Sequence, residues 1–512
     1  MPLQKWLDQS NQQPGAPGLR THAVSLDQWR PVAQDVAAAG GRLLALWASA
    51  DESGTPTIRA AFLAESNGLI LSAPILHPRT PYPGIGDVFP TAPRMQRAIA
   101  DLTGLRSDDS DTRPWLRHAS WQEGYRPLID LPRSAPELDA ILEDYPFVRV
   151  EGDGVHEIAV GPVHAGIIEP GHFRFSVVGE KVLRLEERLG YVHKGIEQRF
   201  TQLPILEAHR LAARVSGDSA VAFSWAYCQA LEGMTGEEIP PRAAWLRALC
   251  LELERVANHL GDLGALGNDA GFAFGLAQFS RLKERLLRVT HEALGERYLM
   301  DAIAPGGTRR DLARTGVPAL RGCLQEIAGE VLTLRVIYDE HEGVRDRFNG
   351  AGTVAPELAA HLGLTGLAGR ASGQAFDLRC DLPCEPYAQL SVKKVGRTDG
   401  DVAARVAVRF DELQESCRLI QHILGALPDG SHRTHARAPV DGAIGAGLIE
   451  GWRGPVWVAL EAGPDGSIRR CHPHDPSWQN WPVLEHAIIG NIVPDFPLIN
   501  KSFNLSYSGH DL

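Results

Sequence analysis

The sequence predicts an α+β fold in two parts: a small N-terminal α/β domain, then a large domain with a long-helix bundle and peripheral strands. Three observations predict it. Between Thr21 and Pro132, apolar runs of strand character alternate with helix-like stretches. From about Ile205 to Ala302, apolar residues recur at helical spacing. From about Val456 the pattern returns to strands and loops. A chain of 512 residues is also too long for one compact core.

Residues 1–20, rich in Gln and Pro, read as a flexible tail. Residues 21–132 form the small domain. Within it, Asp27 to Ala39 is a helix, and Arg42-Leu-Leu-Ala-Leu-Trp-Ala-Ser and Ile58-Arg-Ala-Ala-Phe-Leu-Ala-Glu are strands separated by Gly and Ser. A loop with Pro78, Pro81 and Pro83 leads to a helix from Arg94 to Leu102. Residues 133–154 are a connector, helical over about 134–150. The large domain, 155–512, opens with strands at Ile158-Ala-Val and Phe173-Arg-Phe-Ser-Val-Val. In its helical region Leu246, Leu249, Leu253, Val256 and Leu260 form one stripe and Leu282, Leu286 and Val289 another, a pattern that packs as a bundle and can hold a site between facing helices.

Composition excludes several classes. Hydrophobic residues make up 44% and charged residues 22%, the balance of a globular protein. A net charge of -12 argues against nucleic acid and anionic lipid as partners. The opening Met1-Pro-Leu-Gln-Lys leads into polar residues, so no signal peptide is expected. The apolar stretches near Gly261 and Ile488 are broken by Asp262, Asn268 and Asn491, so no segment is expected to span a bilayer. Seven cysteines in so long a chain make no disulfide framework and suggest a reducing compartment.

Several blocks stand in order along the large domain: Gly161-Pro-Val-His-Ala-Gly, Leu189-Gly-Tyr-Val-His-Lys-Gly-Ile-Glu197, Arg214-Val-Ser-Gly-Asp-Ser, Leu253-Glu-Arg-Val-Ala-Asn-His-Leu-Gly-Asp-Leu-Gly264, Pro305-Gly-Gly and Gly369-Arg-Ala-Ser-Gly373. In order and spacing they resemble the large subunit of energy-converting [NiFe] hydrogenases and its relative, the quinone-pocket subunit of complex I. In the first domain Tyr82-Pro-Gly-Ile-Gly-Asp-Val-Phe-Pro, Arg97 and Asp101-Leu-Thr-Gly resemble the small accessory subunit of complex I, here fused to the large one.

The departures are as informative. A nickel–iron centre needs four thiolates in two Cys-x-x-Cys pairs. By the resemblance they fall on Ser216-Gly-Asp-Ser219 and Ser506-Tyr-Ser-Gly509, which supply none. The family's quinone-binding loop matches at His164, but the headgroup histidine falls on Ile168 and the tyrosine at about Gly217. In the small domain the family's flanking acids are Gln96 and Ala98 here.

Candidate site residues follow. Asp218, between two lost ligand positions, is either a proton-carrying carboxylate raised by burial or a helix cap. Glu197 and His193 are either a proton relay or part of a buried ion pair, with Lys194 where hydrogenases carry arginine. A cavity kept without its metal would leave Asp218 or Glu197 titrating near neutral pH, close to His164 and His259. Glu254, Arg255, Asn258, His259 and Asp262 share one helix and read as a polar network or a solvated face. Arg370 either neutralises a carboxylate or a partner's cluster, or orders its loop. Cys380 and Cys384 lack the second pair of a metal site, and His472-Pro-His474 reads as an exposed loop.

The resemblance implies a subunit of a membrane-associated respiratory-type oxidoreductase complex, NADH:quinone oxidoreductase-like or hydrogenase-like, coupling electron transfer to ion translocation. It would be NAD(P)H- or quinone-linked at the level of the complex, without hydrogenase activity. It also implies an Fe–S small subunit, membrane-embedded antiporter-like subunits, and a cytoplasmic place on the inner face of the cell membrane. No cofactor is expected on this chain and no NiFe centre, with His164 and Arg370 the positions nearest a quinone or a cluster. The other reading is a non-catalytic scaffold that holds the Fe–S subunit and the membrane arm together.

Overall fold

The computed structural model describes residues 2–50, 53–64, 67–118, 121, 124–130, 145–164 and 168–512. The chain opens with helix α1 (Pro2–Asp8), strands β1 (Asn11–Gln12) and β2 (Leu19–Ala23), and helix α2 (Leu26–Ala38). Strands β3 (Arg42–Ala50), β4 (Pro56–Ala64) and β5 (Asn67–Pro74) and helix α3 (Ala92–Thr103) follow. The sheet order is β1-β2-β5-β4-β3, antiparallel except for the parallel pair β2 and β5.

Strands β3 and β4 are buried along nearly their whole length, which is why they read as unbroken apolar runs instead of alternating ones. Their first face, with Leu43, Leu46, Ile58 and Phe62, packs in one core with Trp29 and Val32 of α2 and Met95 and Ile99 of α3. Their second face carries Leu44, Ala45, Trp47, Ala61 and Leu63 and packs on strands from the far end of the chain.

The larger part begins with an antiparallel sheet of β6 (Val155–Val160), β7 (His172–Val178) and β8 (Lys181–Arg188), then the short helix α4 (Ile196–Phe200). The bundle follows: α5 (Ala220–Thr235), α6 (Pro241–Asp269), α7 (Ala273–Leu294), α8 (Gly316–Glu340), the short α9 (Gly366–Ala371) and α10 (Val402–Ala426). A meander of β9 (Ile444–Glu450), β10 (Pro455–Ala462) and β11 (Ile468–His474) leads to α11 (Ser477–Ala487), α12 (Phe496–Phe503) and α13 (Tyr507–Asp511). Both predicted leucine stripes lie in the core of α6 and α7. Helix α6 is buried almost all round, because α7 and α10 flank it and α12 crosses it. Helix α5 lies directly on β9: a Cβ at Gly447 would stand 1.8 Å from the Ala226 carbonyl oxygen, so only glycine permits this approach.

Residues 2–20 are not a loose tail. Leu3, Trp6 and Leu7 are buried, and the Trp6 indole N–H donates to Asp35 at 2.7 Å. Gln13 donates to the Ile444 carbonyl at 2.7 Å and the Ala16 amide to the Ala446 carbonyl at 2.9 Å, stitching the first segment to β9. Composition misleads here because three apolar side chains are enough to anchor a polar segment. The connector helix expected over 134–150 falls mainly outside the described residues, and residues 145–150 form no helix. No helix among the described residues is long and apolar enough to cross a membrane.

Replacing Trp6 by Ala should lower stability by about 3 kcal/mol, from lost aromatic burial and an orphaned Asp35. Denaturant melts with limited proteolysis of residues 1–20 check this, and an effect under about 0.5 kcal/mol would restore the tail reading.

Candidate functional site

The two segments that carry the lost ligand positions meet. Ser216 and Ser219 stand just before α5, and Ser506 caps α13, its hydroxyl accepting from the Gly509 amide at 2.9 Å. The Ser216 and Ser506 hydroxyls hydrogen-bond at 2.9 Å across 290 residues of sequence. Asp218 lies between the two halves and accepts from Ser216 at 2.7 Å and from Ser219 at 3.4 Å. Arg453, buried in the turn between β9 and β10, donates to Asp218 at 2.6 and 3.2 Å and to the Asn504 carbonyl at 2.6 Å. Burial works to raise the Asp218 carboxyl, but Arg453's charge and hydrogen bonds, with the Ser216 hydroxyl, outweigh it and hold it below its ordinary value. Its side chain is still 38% accessible.

Asp475 closes the cluster from behind. One oxygen accepts from the Ser477 amide at 2.8 Å, the other has no hydrogen-bond partner among the described residues, and Arg453 stands 4.0 Å away. Burial raises its pKa, and Arg453 only partly offsets this. A Cβ at Gly509 would come within 2.7 Å of that free oxygen. Hydroxyls bonded to each other, a glycine that leaves no room for a thiol, and an arginine salt-bridged through the middle do not fit a nickel–iron centre.

A second carboxyl lies one step away. Glu254 of α6 accepts from the Val221 amide at 2.7 Å and the Ala222 amide at 3.4 Å, in the first turn of α5. The neighbouring Arg255 points elsewhere, donating to the Gly451 and Glu450 carbonyls at 3.1 and 2.7 Å. Burial pushes the Glu254 carboxyl up to about 8, with Asp218's charge adding to the rise and the two amides opposing it. Asn258 joins the two acids, its amide donating to the backbone oxygens of Asp218 at 2.8 Å and Glu254 at 2.9 Å. Asp218, Glu254, Gly217, Lys283 and Tyr298 line one cavity of about 470 Å³ between α6, α7 and residues 296–300.

Glu197 is locked. Its buried carboxylate binds Arg470 at 2.7 Å and His472 at 2.7 Å. Burial opposes ionisation, yet the charge of Arg470 and the hydrogen bonds from His472 and Arg470 bring it down to about 2. The expectation that Asp218 or Glu197 titrates near neutral pH is therefore corrected: each has an arginine at contact distance, and Glu254, which has none among the described residues, is the cavity acid that is raised. His193 bonds the Asp511 carbonyl at 2.7 Å and does not reach Glu197, and burial keeps its ring neutral despite nearby acids. His472 and His474 lie buried on β11, one against Glu197 and one against Gln479, instead of in an exposed loop.

His164 donates from Nδ1 to the Pro162 carbonyl at 3.1 Å, with its ring 6.3 Å from that of Tyr507. Ile168 beside it is 42% exposed. Arg370 is fully buried and spans Glu412 at 2.6 Å and Glu450 at 2.8 Å, so its counter-charges belong to this chain and no outward face is left for a partner's cluster. His259 bonds Glu412 at 3.0 Å and Asp262 pairs with Arg409 at 2.9 Å, which makes the polar side of α6 a buried network, not a solvated face. Sequence reasoning missed Arg453, Arg470 and Asp475. A signal existed only for Arg470, which alternates with His472 and His474 along one strand face.

Residues 269–442 match the family described as respiratory-chain NADH dehydrogenase, 49 Kd subunit. The chain is 32% identical to formate hydrogenlyase subunit 5 of Escherichia coli over 438 residues, 84% of this chain and 77% of the relative. That span exceeds the large domain and so reaches into the small one. It is 30% identical to hydrogenase-4 component G of the same organism, over 88% of this chain and 79% of the relative. A chain of the archaeal membrane-bound sulfane sulfur reductase, a respiratory membrane complex, shares the fold with a TM-score of 0.66 at 24% identity, over 70% of this chain and 99% of that one.

Glu254 makes stability depend on pH with a definite sign. Its carboxyl titrates near 8 in the fold against an ordinary 4.5, so the native state binds the extra proton, and stability present at low pH is lost as pH rises from about 4.5 to 8. Glu254→Gln keeps an acceptor for the Val221 amide and removes the titration. Its stability relative to the parent should rise with pH through that window, by up to about 1.4 kcal/mol per unit, and level off above it. Melts at pH 5 to 9 check this, and parallel curves would contradict it.

Proposed function

The chain belongs to the family of large subunits shared by energy-converting hydrogenases and complex I, and from that premise we propose that it is the metal-free counterpart of that subunit in a membrane-associated respiratory-type complex. It docks an Fe–S subunit and rests on antiporter-like membrane subunits at the inner face of the cell membrane. The complex is NAD(P)H- or quinone-linked and couples electron transfer to ion movement. Hydrogen chemistry is no part of the proposal.

One observation carries this reading: the Asp218–Arg453 pair and the Ser216–Ser506 hydrogen bond occupy the place where the family's metal ligands converge. Here a carboxylate and a guanidinium face each other beside a cavity that also holds Glu254, an arrangement suited to moving charge and protons in response to a neighbouring redox group. A quinone held in complex I's manner would lack both headgroup partners, since Ile168 and Gly217 stand at those positions.

The scaffold reading has its own support. Arg370, Glu412, Glu450, Arg379 and Glu252 neutralise one another inside the bundle, and Glu197 is spent on Arg470 and His472. Asp218→Asn separates the two readings, because asparagine keeps one acceptor oxygen for Arg453 and removes the charge. In the assembled complex it should reduce ion movement per electron about tenfold, with the Fe–S and membrane subunits still co-purifying. Unchanged coupling with normal assembly would leave the scaffold as the account.

A further inference from the structure

Most buried acids of the large domain have a cation in contact: Glu252 and Asp377 have Arg379, Glu412 and Glu450 have Arg370, Asp262 has Arg409, and Glu197 has Arg470. Glu254 makes no ion pair among the described residues, although it is 93% buried by the same measure that leaves it 7% exposed. Two backbone amides at the start of a 16-residue helix face its carboxyl instead. Partial charges of that kind make the anion tolerable without making it obligatory. Glu254 is thus built to exist both with and without its proton, which Glu197, held by the Arg470 guanidinium and the His472 ring, is not.

We propose that the cavity between α6, α7 and residues 296–300 is a proton-exchange vestibule, and that Glu254 is the group that takes up and releases the proton there. The inference rests on the chain's place in an ion-moving complex. In the exchange one O–H bond of Glu254 breaks, the proton passes to cavity water, and the carboxylate left behind is held by the Val221 and Ala222 amides; uptake is the reverse. No oxidant or reductant enters. A volume of about 470 Å³ has room for roughly fifteen waters, each taking about 30 Å³.

The charged groups around Glu254 set when it exchanges. Asp218 approaches from the start of α5 and favours the protonated form. Arg255 on the same helix favours the anion, although its head is turned to β9. From α7 comes Lys283, which makes no ion pair among the described residues and whose ammonium is held below its ordinary range by burial, against Asp262 and Asp218. In the loop, Arg297 is taken by Glu284 at 2.6 Å and Glu296 by the Tyr298 and Met300 amides. Cys250 lies one turn back on α6, kept a thiol by its own burial and by Glu254. Asp218, whose charge Arg453 holds in place, is the neighbour that strengthens the hold of Glu254 on its proton, so removing that charge weakens the hold.

pH-difference infrared spectroscopy on the purified full chain tests this. The parent should lose the carbonyl band of a protonated carboxyl with a midpoint between about pH 7 and 9, and Glu254→Gln should lack that band. Glu197→Gln should keep it unmoved, and Asp218→Asn should keep it with the midpoint lowered by about one unit. A band that persists in Glu254→Gln, no titrating band in the parent, or a midpoint that stays or rises in Asp218→Asn would each overturn the inference. Proton movement by the assembled complex separates it from the function proposed above. A loss in Glu254→Gln with assembly intact supports the vestibule, whereas a normal rate overturns it and leaves membership of the complex untouched.

Discussion

The guanidinium of Arg453 reaches from the turn between β9 and β10 into the junction of α5 and α13, and meets there the Asp218 carboxylate. Every other feature of the site depends on this contact. It fixes the loop before α5, and with it the Ser216 hydroxyl that bonds Ser506. It sets Asp218's charge, which in turn raises Glu254. Removing Asp218 would leave the Arg453 guanidinium buried without its main partner, whereas the Asp218 carboxylate, partly open to solvent, would be screened if Arg453 were removed. Here charge complementarity between two side chains joins the two segments.

The large domain sorts its acids by what faces them. At Glu412, Asp262 and Glu197 a touching guanidinium holds the carboxylate below its ordinary range and ties helices and strands together, whereas burial still raises Glu450 beside Arg370. Where only amide dipoles or a distant cation are present, as at Glu254 and Asp475, burial wins and the carboxyl is raised above its ordinary value. The cation-paired acids tie separate elements to one another and so stiffen the domain. That rigidity also serves function: a proton site whose neighbours moved freely would not keep a defined affinity.

How much of this the sequence discloses depends on range. The long helices were readable because α6 and α7 repeat leucines every three to four residues, and β3 and β4 because their apolar runs are short and bounded by turns. The missing thiolates were readable by position, since Ser216, Ser219, Ser506 and Gly509 stand in recognisable blocks. The pairing of charges was not. Asp218 and Arg453 are 235 residues apart, Glu197 and His472 are 275, and no local pattern marks them as partners. Without the partner the sign of a pKa shift is undetermined, so Glu197 and Asp218 carried expectations that belong to Glu254. The anchored first twenty residues escaped for a related reason: their partners, Asp35, Ile444 and Ala446, lie mostly at the other end of the chain.

The central claim is that a carboxylate–guanidinium pair has taken the place of a metal centre. Elemental analysis of the full-length protein, purified with its partner subunits under reducing conditions and with nickel in the growth medium, tests it most directly. Nickel should be far below one per chain, with iron accounted for by the partners' clusters alone. One nickel per chain that survives exhaustive dialysis, and that Asp218→Asn or Arg453→Gln alters, would contradict the account at its root.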